Sequence, residues 1–114
     1  MHKIIAVLLS SLALAAGAAD KSSGAILRLL NSRSSGSPKD YAEAAEIVAA
    51  DAAYGRPLQQ FVIALVANDA NLPAKLRPSP ELRTAYLNQS RAKIRRLAEE
   101  KGNALAWYLL SIEN

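Results

Sequence analysis

Apolar residues recur at three- and four-residue spacing through much of this chain. Tyr41, Ala44, Ala45, Val48 and Ala52 line up on one face, the pattern of a helix with one buried stripe. Ser37-Pro38 gives that helix a start signal, with serine as N-cap, proline in the first turn and Asp40 close behind. Gly55 gives it a stop. A second helix is predicted from about Pro57 to Ala67. Its run Phe61-Val62-Ile63-Ala64-Leu65-Val66 is apolar nearly all round, so it should be covered on more than one side. Asn68–Ser79, punctuated by Asn71, Pro73 and Pro78, reads as a loop. Ser79-Pro80-Glu81 repeats the start signal and opens a helix to Lys101, with a bend or break expected at Asn88-Gln89-Ser90, where helix propensity drops. Gly102 ends it, and a last helix follows over Asn103–Ile112. Upstream, residues 24–31 predict a short helix, and Ser32–Ser37 a flexible linker.

The two helix–glycine–helix units superimpose at an offset of 47 residues. Ala45 pairs with Ala92, Ile47 with Ile94, Gly55 with Gly102, Leu58 with Leu105 and Phe61 with Tyr108. The expected fold is therefore all-α: a short α/α solenoid of two helical hairpins with a short N-terminal helix. Each hairpin leaves one apolar side for a neighbour to cover.

Ala98–Ser111 carries a more specific signature. Gly102, Asn103, Ala104, Ala106, Tyr108, Leu110 and Ser111 follow an alanine-rich stretch in an order similar to the Sel1-like repeat, a relative of the tetratricopeptide repeat. Ala52, Ala53, Gly55, Phe61, Ile63 and Ala64 match the same order less fully, with Gln59 at the place of Ala106. The resemblance implies an α/α repeat domain over residues 38–114 that binds proteins, with no catalytic residue to carry over. The offset exceeds the 34 residues of a tetratricopeptide repeat, and the Asn68–Ser79 loop is placed to absorb the excess. Two copies fall short of the three usually needed for stability. That favours capping by residues 24–31 or pairing with a second copy.

The first 19 residues read differently. Lys3 precedes the 13-residue apolar run Ile4–Ala16, and the small residues Ala15–Ala19 follow. This is the order of a secretory signal peptide, with cleavage expected after Ala18 or Ala19. Residues 20–37 are then a short helix and linker, and the protein is expected to be periplasmic or secreted. The absence of cysteine excludes disulfides and lipid acylation at the cleavage site. The only histidine is His2, inside the expected signal. Without either residue, ordinary zinc sites and triads built on histidine are excluded, and no cofactor or catalytic residue is expected.

Charge separates the two hairpins. Asp40, Glu43, Glu46, Asp51 and Asp69 outweigh Lys39 and Arg56 in the first, while Lys75, Arg77, Arg83, Arg91, Lys93, Arg95, Arg96 and Lys101 outweigh Glu81, Glu99 and Glu100 in the second. This polarity can steer a partner. Arg91, Arg95 and Arg96 are candidate contacts for an acidic partner. Trp107 and Tyr54 are candidate binding anchors. Trp107 aligns with the polar Gln60, which argues that this repeat position faces outward or toward an end of the solenoid. The Pro73–Pro80 loop is a further contact surface.

The leading expectation is a small exported interaction module, an inhibitor or adaptor of an envelope or exported protein. Nucleic acid is excluded as a partner by the scarcity of aromatics beside the charges, and no other segment is apolar over a membrane-spanning length. Two alternatives stay open. One is a hydrolase working with carboxylates among Glu43, Glu46, Asp51 and Asp69; the other is a helical protein lying on lipid through its basic face.

Overall fold

A computed structural model describes residues 21–113. The expected signal segment, residues 1–19, lies outside that range. Five α-helices and one 3₁₀ turn make up the described residues, without a strand: α1 (Lys21–Ser35), α2 (Pro38–Ala53), α3 (Pro57–Leu65), the 3₁₀ turn (Ala74–Leu76), α4 (Pro80–Lys101) and α5 (Ala104–Glu113).

Each helix packs on the next in the chain, and α3 also meets α1 and α5. Its short sequence dictates this central position. Seven of its nine residues, Leu58 through Ala64, are buried. Phe61, Val62 and Ile63 join Ile26 and Leu29 from α1, Val48 from α2, Ile94 from α4 and Leu105 and Leu109 from α5 in one core. Alanines 44, 45, 64 and 106 are fully buried, and their small side chains let the helices approach. The expected end of α3 at Ala67 is late by two residues: the helix stops at Leu65 and the chain turns through Val66 and Ala67.

The glycine stops behave as read. Gly55 and Gly102 both have positive φ, at 92° and 62°, a region glycine enters without Cβ strain. Gly102 closes α4 in the left-handed conformation, with its N–H donating to Leu97 O.

Three expectations are corrected. Ser32–Ser37 is no linker: α1 runs through Ser35 and ends at Gly36, whose φ is 77°. The serine hydroxyls donate to carbonyls of the preceding turn, Ser32 Oγ to Arg28 O at 2.8 Å and Ser34 Oγ to Leu30 O at 3.4 Å. They are satisfied within the helix, so they do not break it. α1 also belongs to the common core rather than to a separate segment. Second, α4 is one unbroken helix across Asn88-Gln89-Ser90. Tyr86, Ser90, Ile94 and Ala98 form its buried stripe, one every four residues. Packing of that stripe outweighs the low local propensity. Third, Gln60 does not face outward; it is 4% exposed. Gln60 and Trp107 share a repeat position, but Gln60 sits on α3 between four helices, and Trp107 on α5 between two.

A candidate binding cleft between α2 and α4

α2 and α4 both pack on α3 without touching one another. A cleft of about 440 Å³ opens between them, within the range of small-ligand sites. Ile63 of α3 lies in it. Ala49 and Ala50 of α2 form one wall, Leu82 and Tyr86 of α4 the other. The loop before α4 closes one end with Lys75, Leu76, Arg77 and Pro78.

Local chemistry holds these walls in place. Ser79 Oγ accepts from Leu82 N at 3.1 Å, which caps α4. Ser37, with the same sequence signal, makes no such side-chain bond. Arg83 Nε donates to Ala64 O at 2.8 Å, satisfying one of the carbonyls left open at the end of α3. Arg77 Nη2 donates to Asp69 O at 3.1 Å and Leu72 O at 3.3 Å, folding the loop on itself. Lys75 Nζ reaches across the mouth to Glu46 Oε1 at 2.8 Å.

Four acidic side chains, Asp40, Glu43, Glu46 and Asp69, are held in ion pairs. Glu43 and Asp40 both pair with Arg28, raising the guanidinium pKa through hydrogen bonds to Glu43 first and to Asp40 second. Asp69 binds Arg33 Nε at 2.9 Å and accepts from the Tyr41 hydroxyl at 2.8 Å. Burial pushes the Tyr41 phenol well above its ordinary range, and the Asp69 bond adds to it. No cluster of three or more acidic, histidine or cysteine side chains with metal-binding geometry occurs among the described residues. No described helix is long and apolar enough to cross a membrane.

The residues singled out from sequence lie elsewhere. Tyr54 is 87% exposed at the end of α2, and Trp107 51% exposed on α5. Arg91, Arg95 and Arg96 are all exposed on α4. Arg91 and Arg95 stand one turn apart, but Arg96 is about 100° further round the helix, so the three do not form one patch. None of the five lines the cleft. The Pro73–Pro80 loop does, through Lys75, Leu76, Arg77 and Pro78. The wall residues Ala49, Ala50, Leu82 and Tyr86 drew no attention in the sequence. Their signal was the length of the repeat offset, since the extra loop residues build the closed end.

Comparison with known families, curated proteins and solved structures yields no match.

Proposed function

We propose that this chain is a protein-interaction module that grips a segment of another protein in the cleft between α2 and α4. The observation that carries this reading is the cleft itself, with its apolar interior of Ile63, Leu76, Leu82 and Tyr86 and its charged mouth of Lys75, Arg77 and Glu46. Leu82 is a large apolar side chain left 42% exposed there, and exposed apolar surface beside polar groups suits a docking site.

The architecture we propose is Sel1-like: hairpins α2–α3 and α4–α5 stacked as a short α/α solenoid, with α1 covering the first. The positive-φ glycines at both hairpin turns support it. So does the covering of α2 by α1, which supplies the cap that two repeats need. The signal-like residues 1–19 and the lack of cysteine favour action in the periplasm or outside the cell, as an inhibitor or adaptor of an exported or envelope protein.

A photo-crosslinking amino acid at Leu82, with Glu99 as a distant control, tests this in the native host. A discrete protein adduct from Leu82, absent from Glu99 and lost on adding Leu76→Glu, is expected. Equal adducts from both positions, or none, would overturn the reading.

A further inference from the structure

The walls of the cleft have few donors for the backbone of an occupant. Ala49 and Ala50 lie inside α2 and Tyr86 inside α4, where each N–H bonds along its own helix. Leu82 N donates to Ser79 Oγ at 3.1 Å. In the loop that closes one end, Leu76 N donates to Pro73 O at 2.9 Å and Arg77 N to Ala74 O at 3.2 Å. Among the described residues no Asn, Gln, Ser or Thr side chain lines the cleft, and the Tyr86 hydroxyl is its one uncharged polar side-chain group. An extended segment laid here would bring its carbonyls into an apolar space whose N–H groups are spent. An acceptor buried without a donor is costly. A helix arrives with its backbone already bonded.

We infer that the cleft is a groove for an amphipathic helix of the partner, which lays apolar side chains one turn apart against Leu82 and Ala50 and an acidic side chain against Lys75. It rests on the interaction reading and names the occupant. The cleft volume of about 440 Å³ admits side chains rather than a whole helix, which is roughly 10–12 Å across. The helix therefore lies along the mouth with one face inserted. α2 offers it only the methyl groups of Ala49 and Ala50, over which a helix can approach closely, and α4 offers the part-exposed Leu82. At the closed end, Lys75 and Arg77 face a single acid, Glu46. The Lys75 and Glu46 side chains are 70% and 54% exposed, so their pair is weak and open to exchange. Charge complementarity then favours an acidic residue on the incoming helix.

The test selects a displayed library of random peptides, each about four helical turns long, on the full chain. Counter-selection uses Ala50→Trp and Leu82→Glu, both at exposed positions, with folding of each checked by circular dichroism. Peptides that depend on the cleft should carry apolar residues at i, i+3 or i+4, and i+7, and a net negative charge. A synthesised peptide of this kind should gain helical circular dichroism on binding. Proline at its centre should weaken binding about tenfold or more, and Lys75→Ala should weaken it several-fold. Cleft-dependent peptides whose apolar residues alternate, which stay non-helical when bound, or which are basic would overturn the inference and leave the interaction reading standing. If no peptide depends on the cleft the inference also fails, and the Leu82 adduct decides separately whether the interaction reading survives.

Discussion

The Tyr41 hydroxyl donates a 2.8 Å hydrogen bond to Asp69 Oδ2, tying the start of α2 to the loop that follows α3. Arg33 at the end of α1 holds the same carboxylate, with Nε 2.9 Å from Oδ2 and Nη2 3.1 Å from Oδ1. Three stretches of chain thus converge on one side chain. Tyr41 is 1% exposed, so deleting its acceptor leaves a buried hydroxyl unsatisfied. Asp69→Ala should cost about 1–3 kcal/mol, and Tyr41→Phe only about 1 kcal/mol. Urea unfolding of both variants and the double variant should give a coupling of at least about 0.5 kcal/mol. Additive losses would show that the bond contributes nothing specific.

Tyr41 also sets an alkaline limit. Its phenol is raised above the ordinary value of 10 by burial and by Asp69. The raised group contributes stability that is complete below the unfolded value. Above pH 10 the unfolded chain releases this proton while the folded chain keeps it. Stability should then fall by up to about 1.4 kcal/mol per pH unit until the folded group titrates. Subtracting the Tyr41→Phe profile isolates this term from the other tyrosines and the lysines. Identical slopes above pH 10 in the two proteins would refute it.

Much of this fold was readable where the signal is local. Ser79-Pro80 marks the start of α4 and Gly102 its end because capping needs only neighbouring atoms. The all-round apolar run from Phe61 to Val66 announced a central helix, since only coverage from several sides accommodates it. Ser32–Ser35 misled because serine suits helix and turn alike, and here the hydroxyls bond carbonyls of the same helix while Ser32 is buried against the rest of the fold. The cleft was hidden for a related reason. It exists because α2 and α4 fail to touch, and no residue type encodes a missing contact. The five residues flagged from sequence were chosen for chemistry, whereas Ala49 and Ala50 line the cleft by position.

The glycine turns separate backbone strain from crowding. A Cβ at Gly55 or Gly102 would meet no atom within 4 Å, so any cost of alanine is conformational. Gly102→Ala should lose about 1–2 kcal/mol, and Gly102→Asn less, because asparagine visits the left-handed region more readily. Gly55→Ala should cost at least as much, its φ of 92° lying beyond the usual left-handed well near 57°. Thermal unfolding of the three variants gives the order. An unchanged midpoint in Gly55→Ala would remove the conformational argument for the first hairpin.

Trp107, the sole tryptophan, reports on whether α5 is covered. It is 51% exposed, and Ile112 on the same helix is 41% exposed. Emission of the dilute protein should be red-shifted and readily quenched by iodide. A second copy seated on α5 would shift emission to the blue as concentration rises, and Trp107→Ala would abolish that change. Emission independent of concentration up to hundreds of micromolar would argue against pairing through this face.

Gln60 tests whether a buried amide between α2 and α4 contributes to stability, since Nε2 donates to Ala52 O at 3.2 Å and to Gln89 Oε1 at 3.4 Å. Gln60→Met removes an amide with an unsatisfied oxygen and keeps its approximate volume. Ala52 O still accepts from Gly55 N at 3.0 Å, and the exposed Gln89 can turn to water. No new orphan is created, so the folded state should change by less than about 1 kcal/mol, or gain. Ile63→Ala, one turn away, should lose about 2–5 kcal/mol through the cavity it leaves. Denaturant midpoints of the two variants decide the matter. If Gln60→Met is as damaging as Ile63→Ala, Gln60 is a structural bridge between α2 and α4 whose two hydrogen bonds outweigh its unsatisfied oxygen.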